Sequence, residues 1–124
     1  MVMTDYINGK ETEMRLWMTD PKLMCRQHLL GEHRECHTFV GSINNGHNVS
    51  GYLNGLVDPR LIEQRHDELV KEMIRRGYNH HSPLADYDHT IVGHVDPEEN
   101  LKELHRRCPA CRALIDKSEC SSVW

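Results

Sequence analysis

The sequence lacks long apolar runs and has few aromatic residues. Of its 124 residues, 38% are hydrophobic, 6% are aromatic and only one is Phe. A membrane-spanning helix needs about 20 consecutive apolar residues, and no such run exists. The acidic N-terminal region also lacks the basic and apolar parts of a secretory signal. We therefore expect a cytoplasmic, single-domain protein whose core is filled mainly by aliphatic and Met side chains.

The chain also lacks an excess of positive charge. Its formal net charge is −4, from 15 Lys and Arg against 19 Asp and Glu. This balance argues against a protein that coats DNA indiscriminately, because such binding rests on neutralising phosphates. The acid is concentrated at the two ends, however, because residues 14–79 carry nine basic and eight acidic side chains. Contact of this central segment with duplex DNA is therefore compatible with the charge, and it should strengthen as the 10 His gain protons below about pH 6.5.

The cysteines do not form a disulfide pattern. Five Cys is an odd number, and a chain without a secretion signal is expected to keep its thiols reduced. A single CxxC motif has a His three residues before it and a Cys nine residues after it, which indicates a structural zinc site that would hold the C-terminal segment together. The candidate ligands are His105, Cys108, Cys111 and Cys120. The alternative is ordinary free thiols, and Cys25 and Cys36 are expected to pack as small hydrophobic residues.

Three Asp-Pro pairs, at residues 20–21, 58–59 and 96–97, predict three helix starts, because Asp caps a helix and Pro needs no N–H in its first turn. Gly77 is expected to end the second helix. Residues 41–55 are rich in Gly, Asn and Ser and indicate a loop or short hairpin, and the segment after the third helix is expected to be a polar tail. The prediction is a mostly α, compact fold of about three main helices with long loops. The second helix should bury Leu61, Ile62, Leu69, Val70, Met73 and Ile74.

The densest group of ionisable side chains lies in residues 27–35, QHLLGEHRE. On a helix, His28, Glu32 and Glu35 would share one side, at spacings of four and three residues. Such a polar side could flank a catalytic cleft. The alternative, favoured by composition alone, is a solvated face with ion pairs between successive turns.

The motif QHLLGEHRE, together with RRGYN at residues 75–79, resembles the pyrimidine-dimer DNA glycosylases of the phage endonuclease V type. The segment 14–83, which begins with MRLW, is also similar to bacterial and phage relatives. The resemblance implies a compact helical enzyme that flips a damaged base out of duplex DNA and excises it, with no cofactor required for catalysis. On this basis residues 1–13 are an N-terminal extension, and residues 14–124 are one helical domain whose part from 84 to 124 is divergent.

The resemblance also implies roles for individual residues. Glu35 would be the essential carboxylate, stabilising the sugar intermediate and assisting proton transfer, with His28 and Arg34 beside it. Trp17 would be either a wedge between bases or, as the favoured alternative, a core residue. The expected contacts to the DNA backbone are Arg15, Gln27, Arg75 and Arg76, although the last two also suit the C-terminal end of a helix dipole.

The resemblance further implies that the N-terminal amine of a small residue attacks the sugar and gives AP-lyase activity. At the corresponding position this sequence has Met14, which thirteen residues precede. Three routes stay open: a start at Met14, an extension that folds back to Glu35, or attack by water. A start at Met3 would expose Thr4 after Met removal.

Two other functions are compatible with the residues. One is a noncatalytic module that binds DNA or another protein on the same scaffold. The other is a metal-dependent hydrolase that uses imidazole and carboxylate groups of the loop after the second helix. Its candidate ligands are His80, His81, Asp86, Asp88, His89, His94 and Asp96.

Overall fold

The computed structural model describes residues 15–79 and 83–122, and the side chains of all of these except 119–122. The described part is mostly helical, which confirms the predicted fold class. None of its helices is long and apolar enough to cross a membrane. The elements are α1 (Arg26–Asn44), β1 (Asn54–Gly55), α2 (Ile62–Arg75), β2 (His94–Val95), α3 (Pro97–Arg107) and α4 (Pro109–Ser122).

The three Asp-Pro pairs each start a helical turn, but only one starts an α-helix directly. Asp96 accepts hydrogen bonds from two backbone N–H groups at the start of α3. Asp20 and Asp58 instead cap single 3-10 turns, and the second of these turns runs straight into α2. After the first turn, Met24 takes an extended conformation and α1 begins only at Arg26. The predicted start of the first helix at Asp20 is therefore wrong, because the Asp-Pro cap fixes one turn and no more.

Two segments predicted as irregular are helical. Helix α1 continues to Asn44, so the first part of the predicted loop at 41–55 belongs to it. Phe39 and Val40 are buried in this last part of α1, and their packing extends the helix beyond what its Gly and Ser content indicates. The segment after α3, predicted as a polar tail, forms α4. One predicted core residue of α2, Ile74, is 61% exposed.

The core lies between α1 and α2. Leu29 and Phe39 on α1 are buried, as are Ile62 and Leu69 on α2. Leu104 of α3 is fully buried in the same cluster. The divergent C-terminal part therefore packs on the family-like segment and completes one core.

Strands β1 and β2 form a short parallel pair, which joins the connection between α1 and α2 to the connection between α2 and α3. Asn54 lies opposite His94, and Gly55 lies opposite Val95. Before β2 the backbone comes so close that a Cβ on Gly93 would lie 2.2 Å from the carbonyl oxygen of Val57. Only Gly fits at this approach, and the pairing brings the chain to the start of α3.

Candidate functional site

Residues 15–19 form a segment without helix or strand that is hydrogen-bonded to α1 and to α3. Leu16 and Trp17 are buried, at 1% and 7% exposed. The Leu16 N–H donates to the carbonyl of Leu56 at 2.9 Å. On the other side, the Asn100 side-chain amide of α3 donates to the carbonyls of Leu16 and Trp17, both at 3.1 Å. The backbone of this segment is therefore held from two directions.

Glu35 faces this segment from α1. Its Oε1 accepts a hydrogen bond from the backbone N–H of Arg15 at 3.0 Å. Burial raises the pKa of Glu35 to about 8, although the Arg15 N–H opposes the shift. The nearby Glu32 raises this pKa further, and the charge of the exposed Arg34 lowers it. Glu35 is thus a partly buried carboxyl group that is mostly protonated at neutral pH, as a proton donor requires.

Glu32, three residues earlier on α1, has a different environment. Its two carboxylate oxygens accept from Nε and Nη2 of Arg65 at 2.7 and 2.9 Å. Both side chains are almost completely buried, at 0% and 2% exposed. Burial lowers the pKa of Arg65, but the bonds and charges of Glu32 and Glu68 outweigh this and raise it. Sequence reasoning missed Arg65, and nothing in its spacing marks it.

Glu32 also holds the segment of residues 15–19. Its Oε2 accepts from the backbone N–H of Met18 at 3.4 Å. Met18 has a φ of 55°, in the left-handed region that a non-Gly residue rarely takes. The carboxylates of α1 thus contact the segment at two points, Arg15 through Glu35 and Met18 through Glu32. This arrangement fixes where the segment passes over the helix.

The third member of the predicted polar side, His28, contacts sulfur atoms. Its Nδ1 lies 3.4 Å from Sγ of Cys25 and 3.6 Å from Sγ of Cys111. Its ring meets Trp17 edge to face, with centroids 5.8 Å apart. All three predicted catalytic residues lie on α1 but in different surroundings: His28 beside sulfur atoms, Glu35 against the Arg15 N–H, and Arg34 exposed to solvent.

Four residues form a compact group that could hold a metal ion: Cys25, His28, Cys108 and Cys111. This set keeps the CxxC motif and changes its partners. The predicted ligand His105 is turned away, with its Nε2 2.9 Å from Oδ1 of Asp116. The side chain of Cys120, the other predicted ligand, lies outside the described residues. The sequence signal for the observed set is the pair Cys25 and His28, which has the same two-residue gap as the CxxC motif.

A second group consists of His33 and His37 on α1 and His66 on α2. Their ring centroids lie 4.8 to 5.0 Å apart. Sequence reasoning missed this group, although the four-residue gap between His33 and His37 places both on one side of α1.

The loop proposed for a metal-dependent hydrolase has no comparable cluster in the described part of the chain. His89 lies 3.5 Å from a carboxylate oxygen of Asp86 and stacks on Tyr87. His94 lies in β2 and is exposed. Neither joins a group of three metal-ligand side chains among the described residues, and His80 and His81 lie outside them.

The residues expected to contact DNA differ in how free they are to do so. Gln27 is exposed on the first turn of α1. Arg15 is partly buried and lies over the Trp17 ring, with its Cζ 4.8 Å from the centroid. Trp17 itself is a core residue, the alternative favoured from the sequence.

Arg75 and Arg76 share one partner, Glu72, and face different surroundings. Arg75 remains 60% exposed and binds Glu72 through two nitrogens. Arg76 is only 17% exposed and also donates to the carbonyls of Pro21 and Met24 at 3.1 and 2.7 Å. The hydrogen bonds that Arg75 and Arg76 donate to Glu72 lower its pKa to about 2. Arg76 thus stabilises the turn before α1, while much of the Arg75 side chain stays exposed to solvent.

Residues 14–86 match a family model described as pyrimidine dimer DNA glycosylase. The match covers more than half of the chain and includes all of α1 and α2, with Glu32, Glu35 and Arg65. It ends before α3, so Asn100 and the CxxC motif lie outside it. Comparison with curated proteins and with solved structures gave no match.

Proposed function

Because the chain belongs to the pyrimidine dimer DNA glycosylase family, we propose that it excises a damaged pyrimidine, in the first place a cyclobutane dimer, from duplex DNA. The observation that carries this proposal is the environment of Glu35. Its carboxyl group is partly buried, has a pKa raised to about 8, and is held by a backbone N–H of the segment that passes over α1. A group of this kind can deliver a proton at neutral pH.

Excision breaks the bond between C1′ of the sugar and N1 of the pyrimidine. The bonding electrons leave with the base, and positive charge develops on the sugar. Protonated Glu35 supplies a proton to the departing base or to the sugar ring oxygen, and the carboxylate that remains stabilises the positive charge. The nucleophile that bonds to C1′ is either water or an amine.

The position of Arg15 relates the amine route to the structure. The Arg15 nitrogen that donates to Glu35 is covalently joined to Met14. In a chain shortened to begin at Met14, the free amine would be one residue from this contact. An α-amine has a pKa near 8, so an appreciable neutral fraction can attack C1′. The amine then forms an imine with the opened sugar, and β-elimination breaks the C3′–O bond and nicks the strand.

Contacts to the DNA backbone are assigned to the exposed side chains. Gln27 and Arg34 on α1 and Arg75 at the end of α2 can reach phosphates. Arg15, beside Trp17, lies next to Glu35 and would approach the phosphate nearest the damaged base. Arg76 is assigned a positioning role, because its donors are used on backbone carbonyls.

The test uses a duplex with one thymine dimer and a labelled strand. Excision is measured as strand breakage after alkali, and lyase activity as breakage without alkali. We expect excision by the full chain, and a loss of roughly 100-fold or more in Glu35→Gln, which keeps the size of the side chain and removes its acid function. Glu63→Gln, at an exposed Glu of α2, is the matched control and should remain active.

The same assay with borohydride tests the nucleophile. Borohydride reduces an imine and traps a covalent adduct, which we expect from the chain beginning at Met14. Excision without an adduct from either chain would assign the attack to water. Full excision by Glu35→Gln would contradict the role of Glu35. If the full chain and the chain beginning at Met14 both bind the duplex and neither excises a base, the result would support the noncatalytic module instead.

A further inference from the structure

We propose that Cys25, His28, Cys108 and Cys111 together bind one zinc ion, which fastens the C-terminal helices to the family-like segment. In tetrahedral zinc sites the Zn–S distance is about 2.3 Å and the Zn–N distance about 2.0 to 2.1 Å. Two sulfurs on one zinc are then about 3.8 Å apart, and a sulfur and a nitrogen about 3.6 Å apart.

The spacing in the structure agrees with these values. Sγ of Cys25 lies 3.8 Å from Sγ of Cys108. Nδ1 of His28 lies 3.4 Å from Sγ of Cys25 and 3.6 Å from Sγ of Cys111. All four ligand atoms lie within 4.8 Å of one another. A disulfide would bring two sulfurs to about 2.05 Å, so the arrangement fits four ligands around a metal.

The local backbone also suits a thiolate site. Cys25 precedes the first turn of α1, and Cys108 precedes the first turn of α4. His28 follows Cys25, and Cys111 follows Cys108, with two residues between the members of each pair. The backbone N–H of Cys25 donates to Sγ of Cys111 at 3.2 Å, and the N–H of Cys111 points to Sγ of Cys108 at 3.4 Å. Hydrogen bonds of this kind and the starts of two helices favour negative charge on sulfur.

The ligand set decides the metal and its role. Three thiolates and one imidazole suit zinc better than a hard cation such as magnesium or calcium. Four protein ligands leave no open position for a substrate, so the ion is structural. The pairs of ligands are more than 80 residues apart in the chain, so the ion joins α1 directly to the connection between α3 and α4.

The site also reaches the region of Glu35 through packing. His28 contacts the ring of Trp17, and the carbonyl of Trp17 accepts from Asn100. Trp17 lies two residues after Arg15, whose N–H bonds to Glu35. Zinc therefore positions the segment that contacts Glu35 without taking part in the chemistry, and this makes His28 a metal ligand rather than a partner of Glu35.

The test is the zinc content of the full chain, prepared without an added His tag and measured by elemental analysis in the absence of DNA. We expect about one zinc per chain. Cys108→Ser and Cys111→Ser should lose it, and Cys36→Ala, which changes a buried Cys outside the group, should retain it. His66→Ala, in the three-histidine group, should also retain it.

Substitutions at His28 separate a ligand from a catalytic base. His28→Ala should lose zinc, whereas His28→Cys restores a fourth ligand and should retain it. Replacement of zinc by cobalt adds a readout that does not depend on activity, because thiolate ligands give a charge-transfer band that a purely histidine site lacks. A chain that binds no zinc, or one whose zinc survives Cys108→Ser and is lost in His66→Ala, would overturn the assignment. Each of these results is independent of whether the protein excises a base.

Discussion

Glu32 and Glu35 lie one turn apart on α1 and differ in what neutralises them. Glu32 is fully buried and binds the guanidinium of Arg65 through both oxygens. Glu35 is partly buried, and its described hydrogen bond is to one backbone N–H, that of Arg15. Burial raises the pKa of Glu32 as well, but the hydrogen bonds and the charge of Arg65 oppose this rise and fix the carboxylate as part of the fold. Among the described residues no charged side chain hydrogen-bonds to Glu35, and burial raises its pKa to about 8, which makes it a candidate for proton transfer.

The largest effect is expected from breaking the Glu32 pair. Arg65→Met removes the guanidinium and leaves the buried carboxylate without its charged partner, which typically costs about 3 to 5 kcal/mol. We expect the free energy of unfolding to fall by that amount in a urea titration. The double variant with Glu32→Gln should recover part of the loss, because it removes the stranded charge. A loss below about 1 kcal/mol in Arg65→Met would show that the pair does not hold the fold.

Glu35→Gln should have the opposite effect on stability. Because the pKa of Glu35 is raised in the folded state, the folded chain binds this proton more tightly than the unfolded chain. Below about pH 4.5 Glu35 is protonated in both states and does not reduce the free energy of unfolding. As the pH rises from about 4.5 to about 8, its ionisation in the unfolded chain lowers the free energy of unfolding progressively.

Replacing Glu35 by neutral Gln removes this penalty. After allowance for its partial exposure, we expect a gain on the order of 2 kcal/mol at pH 8 that vanishes near pH 4.5. Urea titrations of both proteins at several pH values measure it, and Glu63→Gln serves as the exposed control. A variant less stable than the parent at pH 8 would contradict the raised pKa.

The pH dependence of excision should show the same group. If protonated Glu35 donates the proton, the rate constant should fall about tenfold per pH unit above about pH 8. Single-turnover reactions with excess protein separate this limb from effects of pH on DNA binding. An excision rate constant that rises through pH 8 and stays high would instead indicate that the ionised form of Glu35 is the active one.

The sequence predicted what depends on neighbours along the chain. Apolar spacing identified α2, and the cap at Asp96 identified α3. The role that the family motif gives Glu35 stays a prediction. Helix lengths were predicted less well, because the end of α1 depends on the burial of Phe39 and Val40 against other elements. Local composition at residues 41–44 gave no sign of that packing.

The partners of the site residues could not be predicted, because they come from distant parts of the chain. Arg65 is 33 residues from Glu32, and Asn100 is more than 80 residues from Leu16. The zinc prediction shows the same limit. Its CxxC motif was visible, but His105 was assigned as a partner by proximity in sequence, whereas the folding of α4 against the start of α1 brings Cys111 to Cys25.

Asn100→Ala is expected to have the smallest effect and bears most directly on Glu35. The substitution removes two hydrogen bonds to the carbonyls of Leu16 and Trp17 and a longer one that Nη1 of Arg15 donates to Oδ1 of Asn100, and it should cost about 1 to 2 kcal/mol of stability. The same segment presents the Arg15 N–H, and the hydrogen bond from this N–H lowers the pKa of Glu35. The substitution should loosen this segment.

With that donor less firmly held, the pKa of Glu35 should rise, and the falling limb of the excision profile should move to higher pH by less than about one unit. Asn44→Ala is the matched control, since it also removes a side-chain amide that donates to a backbone carbonyl, that of Asp86, and it should leave the limb in place. Equal shifts in both variants would mean that the limb reports general loosening of the fold. A shift in Asn100→Ala alone would show that α3, outside the family match, sets the proton affinity of Glu35.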